Sequence, residues 1–206
     1  EGGDNHFRDE FFKELRTLSL ENEALLIYDE VQTGIGITGR MWAHQHLCKP
    51  ECHACANHCK DREPDIIGFG KKTQVCGIFA GERIEEVENN VFKESSRLNS
   101  TWGGNIVDMV RLSLYLEIIE NENLIDYAHT AGNYLKSKIN DIQTEFPDLV
   151  SNTRGQGLFS AFDLPNSDSR DQLAKIILDE GAIVLGSGIQ SIRFRPHLNI
   201  TEDEID

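Results

Sequence analysis

Phe7, Phe11, Leu15 and Leu18 recur at helical spacing, with Phe12 beside them and charged residues between. That pattern predicts an amphipathic helix over residues 8–21. The period then changes. Residues 24–28 form an apolar run of strand length that stops at Asp29-Glu30-Val31-Gln32-Thr33-Gly34. Gly34, Gly36 and Gly39 break the chain into a loop, and a short helix is expected over 41–47. Residues 65–69 make a second strand, ending in Gly70-Lys71-Lys72, and 75–80 a third. A helical turn is expected over 84–87. Residues 106–120 are apolar on most sides, the pattern of a buried helix. A further helix runs from 124 until Pro147 stops it.

Beyond residue 147 the elements shorten. A strand over 158–164 lies between Gly155-Gln156-Gly157 and Pro165. Asp168 or Ser169 is placed to cap a helix over 172–180, which Gly181 ends. Strands follow over 182–185 and 191–196, and Thr201 with Glu204 is a capping box announcing another helix. The fold class expected is α/β, with a small α+β domain at the end. The divisions are 1–104, carrying an insert at 48–62, then connecting helices over 105–146, then 147–206.

With 39% hydrophobic residues in 206 the chain can build a core. Its 20 Lys and Arg against 35 Asp and Glu give a net charge of −15, which argues against nucleic acid and anionic membranes as partners. No apolar run nears the roughly 20 residues a membrane helix needs, and no signal peptide opens the sequence, so a cytoplasmic location is expected. Glu1-Gly2-Gly3 reads as the middle of a loop and the final capping box has no helix after it. Both suggest a fragment cut at its two ends.

In open α/β sheets chemistry collects at the carboxyl ends of strands. Asp29 and Lys71 sit at two such ends, and each has a plain reading and a chemical one. Asp29 is either a loop acid or the group that keeps a pyridoxal phosphate ring nitrogen protonated. Lys71 and Lys72 are either a solvated pair or include the amine that carries this cofactor as a Schiff base. Ser100-Thr101-Trp102-Gly103-Gly104-Asn105 offers hydroxyls, backbone amides and a helix start to a phosphate, or is an ordinary capped helix. Arg193 and Arg195 alternate with Ile192 and Phe194, so they share a strand face, suited to carboxylates or to solvent.

Taken together, these segments resemble the class III pyridoxal phosphate-dependent aminotransferases, over nearly the whole chain. The likeness rests on Glu1-Gly2-Gly3, Asp29-Glu30-Val31-Gln32-Thr33-Gly34, Pro64-Asp65-Ile66-Ile67 with Gly70-Lys71, Ser100-Thr101 with Gly103-Gly104-Asn105, and Ile192-Arg193-Phe194-Arg195-Pro196. Within the class it is strongest to the lysine 6-aminotransferases, through Asp4 with His6-Phe7-Arg8, Lys72-Thr73-Gln74-Val75-Cys76-Gly77, and Ser96-Arg97-Leu98-Asn99. The 4-aminobutyrate aminotransferases share Ser191-Ile192-Arg193-Phe194-Arg195-Pro196 and are the rival, with ornithine aminotransferases beside them.

The resemblance implies a fold type I transferase: the C-terminal part of the large sheet domain plus a small C-terminal domain. It implies a homodimer with shared active sites and transfer of the 6-amino group of L-lysine to 2-oxoglutarate. It also implies roles. Asp29 would pair with the ring nitrogen, Gln32 with the ring hydroxyl oxygen, and Lys71 would carry the cofactor. Thr101 would bind the phosphate across the dimer interface. Arg193 would receive the acceptor's α-carboxylate, and Glu1 would cover Arg193 while the amine donor is bound. The first half of the large domain is missing, and in this family it carries the ring-stacking aromatic and the main phosphate loop. This fragment is therefore expected to be inactive alone.

The insert departs from the family. Cys48, Cys52, Cys55 and Cys59 fall within twelve residues, with His53 and His58 among them. These are zinc or iron–sulfur ligand types, so a bound metal, zinc ahead of a cluster, is expected against a reduced surface loop. A metal-binding interaction module built on this loop is the one reading outside enzymology. Cys76 stands apart and is expected to be a buried thiol.

Overall fold

The computed structural model describes residues 2–48, 60–98 and 104–206. The chain divides into two compact units, and each builds its own sheet.

One unit holds residues 7–35 and 42–122. Its first helix, α1 (Asp9–Glu21), follows the Phe/Leu spacing and opens on Asp9 and Glu10, acids that suit a helix N-terminus. The strands are β1 (Ile27–Asp29), β2 (Ile66–Phe69) and β3 (Gly77–Ala80), in the order β1-β2-β3. β1 and β2 are parallel, β2 and β3 antiparallel. Asp65, just ahead of β2, fixes the sheet's near end. Its Oδ2 accepts from Arg16, Arg83 and the Leu26 backbone N–H, each at 2.8 Å. Burial pushes the Asp65 carboxyl up, but these donors win and hold it below the usual range. Residues 43–47 and 82–86 are single 3-10 turns rather than α-helix.

Two expectations about burial fail here. Helix α2 (Ile106–Asn121), capped by the Asn105 side chain on Val107 N–H, is exposed. Ile106, Val107, Val110 and Leu114 are more than half accessible, and Ile119 alone is buried. An apolar helix has no polar face to orient it, and most of its apolar side chains stay accessible. Cys76 is also exposed, beyond the turn that follows Lys71.

The other unit holds residues 1–6, 36–41 and 123–206. Helix α3 (Leu124–Glu145) buries Ala128, Ala131, Gly132, Leu135 and Ile139, one helical stripe. It packs on strands β4 (Ser151–Gln156) and β5 (Phe159–Asp163). Helix α4 (Ser167–Asp179), strands β6 (Leu185–Ser187) and β7 (Ser191–Phe194), and the short α5 (Glu202–Ile205) complete the unit. The sheet order is β4-β5-β7-β6, every neighbour antiparallel. The core gathers Leu158, Phe162, Leu164 and Ile192 against α3. At Gly132 a Cβ would lie 2.1 Å from the backbone of Gly157, so only glycine permits this approach of helix to hairpin.

Strand β4 is absent from the sequence reading, which placed Gly155 and Gln156 in a boundary. Its Ser-Asn-Thr-Arg-Gly-Gln has no apolar alternation because it is an edge strand with a register shift between Ser151 and Arg154. Helix α4 starts earlier than expected because Asn166, not Asp168 or Ser169, caps it on Ser169 N–H. β6 falls at 185–187, after the 182–185 expected. The capping box at Thr201 and Glu204 forms.

Candidate active site

The parallel pairing of β1 with β2 sets Asp29 opposite Gly68. From there Asp29-Glu30-Val31-Gln32 and Gly70-Lys71-Lys72 leave the same sheet edge. Asp29 is exposed and its Oδ1 accepts from Val31 N–H at 3.0 Å, an Asx turn that holds the carboxylate at the strand end. Lys71 is exposed and adopts φ 49, a left-handed backbone that a lysine seldom takes. Lys72 is half-buried and donates from Nζ to the Gln32 carbonyl at 2.5 Å. The two loops are therefore tied to one another.

Glu30 points the other way, into the fold. It is 3% exposed. Its Oε1 accepts from His44 N–H at 2.9 Å and lies 3.0 Å from His44 Nδ1, while Oε2 accepts from Ala43 N–H at 3.0 Å and from the Thr33 hydroxyl. Burial raises this carboxyl's pKa, but the donors outweigh burial and keep it ionised below the usual range. Of two adjacent acids, one is a structural anion and the other is presented at the sheet edge. Sequence gives Asp29-Glu30 as a pair; the donors that separate them come from residues up to 14 positions away.

In the other unit Arg193 lies in β7, facing Ala161 of β5 and Leu185 of β6 in the register. Arg195 lies one residue past that strand and is engaged within its own unit. Its Nη2 meets Asp4 Oδ2 at 2.5 Å, and its guanidinium carbon sits 3.1 Å above the Phe159 ring centroid. Burial lowers its pKa to about 10, so it stays cationic at neutral pH. The sequence treats the two arginines alike, but Arg195 is spent on Asp4.

Glu1, Thr101, Cys52, Cys55 and Cys59 lie outside the described residues. Cys48 closes the turn over 43–47, its N–H on the Gln45 carbonyl. Among the described residues no group of three metal-ligating side chains forms, and no helix is long and apolar enough to cross a membrane.

This α/β chain belongs to the class III aminotransferases: the family model "Aminotransferase class-III" matches residues 1–206. It is similar to the L-lysine-epsilon aminotransferase of Mycobacterium tuberculosis, 49% identical over 206 residues that cover 100% of this chain and 43% of the relative. It is also similar to the mitochondrial 4-aminobutyrate aminotransferase of Homo sapiens, at 36% over 198 residues, covering 96% of this chain and 36% of that one. The solved structure of lysine aminotransferase from M. tuberculosis matches with a TM-score of 0.90 at 49% identity, covering 100% of this chain and 44% of that one. The chain thus spans less than half the length of these relatives.

Proposed function

We propose that the whole protein is a pyridoxal phosphate-dependent aminotransferase that moves the 6-amino group of L-lysine to 2-oxoglutarate, giving the 6-semialdehyde and glutamate. The observation that carries this reading is the shared sheet edge. The parallel register of β1 and β2 sends an acid, a glutamine and a lysine pair into adjoining loops, and Lys72 ties those loops together. The donor set suits the cofactor: an anion for a ring nitrogen, an amide for a ring oxygen and an amine for an aldehyde. A Cβ built on Gly68, opposite Asp29, would meet nothing within 4 Å, which leaves open space beside the acid. The left-handed backbone at Lys71 costs ~1–2 kcal/mol, a strain found where a side chain must be aimed.

When bound, pyridoxal phosphate supplies the carbonyl that takes up the amino group and the ring that withdraws the electron pair. Asp29 keeps the ring nitrogen protonated. Gln32 donates to the ring hydroxyl oxygen. The Lys71 amine removes the proton from the substrate carbon in one half-reaction and returns one in the other. Thr101 holds the phosphate of the partner subunit's site in a homodimer. Arg193 binds the α-carboxylate of 2-oxoglutarate, and Glu1 neutralises Arg193 while the distal amine of lysine occupies the site. The exposed apolar face of α2 fits a surface that a longer chain or a partner subunit covers. A cytoplasmic location fits this chemistry.

The 49% identity to a lysine-epsilon aminotransferase against 36% to a 4-aminobutyrate aminotransferase favours lysine as donor. A donor panel on the full-length holoenzyme tests the choice. L-lysine is expected to bleach the cofactor absorbance fastest; faster conversion of 4-aminobutyrate or ornithine would overturn it.

A further inference from the structure

Lys71 opens a single 3-10 turn, Lys71–Thr73, between β2 and β3. At the base of this turn the strands pair Phe69 with Gly77. A Cβ at Gly77 would lie 2.4 Å from the Phe69 ring, so the two strand ends close tightly under the turn. Lys71 and Gln74 both adopt a left-handed backbone, φ 49 and φ 58. Neither residue type favours that region.

The peptide groups on both sides of the Lys71 Cα are anchored. On one side the Gly70 carbonyl accepts from Thr73 N–H at 3.4 Å. On the other side the Lys71 carbonyl accepts from Gln74 twice, from its backbone N–H at 3.0 Å and from its side-chain Nε2 at 3.0 Å. Thr73 is 2% exposed and its hydroxyl donates to the Val75 carbonyl, which pins the far side of the turn. Each residue has only two soft backbone dihedrals. Anchoring both flanking peptide planes therefore sets φ and ψ at Lys71, and with them the direction of its Cα–Cβ bond. The 3.4 Å bond is long for an N–H donor, and the backbone bond from residue 74 needs no particular side chain. The Gln74 amide is the part of this arrangement that depends on residue type.

We propose that Gln74 is a positioning residue for Lys71: its side-chain amide, bonded to the Lys71 carbonyl, keeps the lysine in the left-handed conformation that aims its amine at the cofactor aldehyde. The inference rests on the reading of Lys71 as the residue that carries the cofactor. In that capture the Lys71 nitrogen attacks the aldehyde carbon, a C=N bond forms, and the aldehyde oxygen leaves as water with the two amine protons. Attack needs the nitrogen close to the carbon and correctly oriented, so its rate is sensitive to aim. Gln74 acts here through the backbone of Lys71.

The test mixes full-length apoprotein with pyridoxal phosphate or with pyridoxine phosphate, which has an alcohol in place of the aldehyde and cannot be captured. Gln74→Met removes the donor at similar side-chain length. It is expected to slow capture at saturating pyridoxal phosphate, read from the cofactor absorbance, about fivefold, the scale of one neutral hydrogen bond. Its affinity for pyridoxine phosphate is expected to match the parent. Gln74→Gly suits the left-handed backbone better than glutamine and keeps the backbone bond, yet it too is expected to slow capture. If both variants capture at the parent rate, or lose affinity for the two ligands equally, the positioning proposal is wrong and the reading of Lys71 stands. Borohydride reduction and peptide mapping of the parent test that reading separately: an adduct anywhere but Lys71 overturns it, and the positioning proposal with it. Melting of each variant separates misfolding from repositioning, and Gln74→Gly carries the test if Gln74→Met does not fold.

Discussion

Lys72 and Gln32 are joined by a 2.5 Å bond from the lysine ammonium to the glutamine carbonyl. The loop after β1 and the turn after β2 therefore move together, although 40 residues separate the two partners in sequence. The lysine beside the proposed cofactor carrier is a strut for the residue proposed to contact the ring.

Replacing that strut should loosen the cofactor without removing its attachment. A charged hydrogen bond contributes ~1.5–3 kcal/mol, so Lys72→Met is expected to weaken cofactor binding about tenfold or more. Fluorescence titration of the full-length apoprotein measures this. An affinity within twofold of the parent would show that the strut is dispensable.

Glu30 should govern acid stability. Its folded pKa is depressed, so its contribution is complete above the unfolded value of roughly 4.3. That contribution is lost as pH falls through the lower folded value. Glu30→Gln leaves the His44, Ala43 and Thr33 donors with one acceptor oxygen and is expected to cost ~3 kcal/mol at neutral pH. Melting curves at a series of pH values should show a lower Tm at pH 7 and a shallower decline between pH 5 and 3. An unchanged acid limb would contradict the assignment.

Asp65 pairs with both Arg16 and Arg83, and Arg83 also faces Glu86 at 3.7 Å. Asp65→Asn removes the carboxylate the two guanidinium groups share, a change of ~3–5 kcal/mol where a buried pair is broken. Denaturant unfolding should show it. Asp65→Leu is expected to be no milder, because the loss lies in leaving the half-buried Arg16 without this carboxylate.

Gly132→Ala sets two effects against each other. Alanine favours a helix over glycine by about 1 kcal/mol, yet its Cβ would sit 2.1 Å from Gly157. The clash is backbone to backbone and cannot be relieved by a rotamer, so overpacking at ~1–3 kcal/mol or more wins. A lower Tm is expected; a raised one would mean the hairpin yields freely.

What was legible in the sequence was local. The Phe7 to Leu18 spacing, the apolar runs ending at Asp29 and Lys71, the helix stop at Pro147 and the Thr201 box are each read from neighbours along the chain. The edge strand β4 carried no such signal, because its residues are polar or glycine and a register shift breaks its pairing. Helix α2 carried a misleading one: its sequence asks for burial, and the described residues of its unit do not supply it. The ties on residues 3 and 4 were illegible for a different reason. Arg154 meets Gly3 across 151 positions and Arg195 meets Asp4 across 191, and nothing in Arg-Phe-Arg says that its second arginine pairs with Asp4. Family resemblance named Arg193 and Lys71 but offered no account of Arg195 or Lys72.

Borohydride reduction of the full-length protein with its cofactor, followed by peptide mapping, tests the central claim most directly. A reduced pyridoxyl adduct on Lys71 is the predicted result, and Lys71→Ala should abolish it while Lys72→Met should not. An adduct on Lys72, or on neither lysine, would contradict the account.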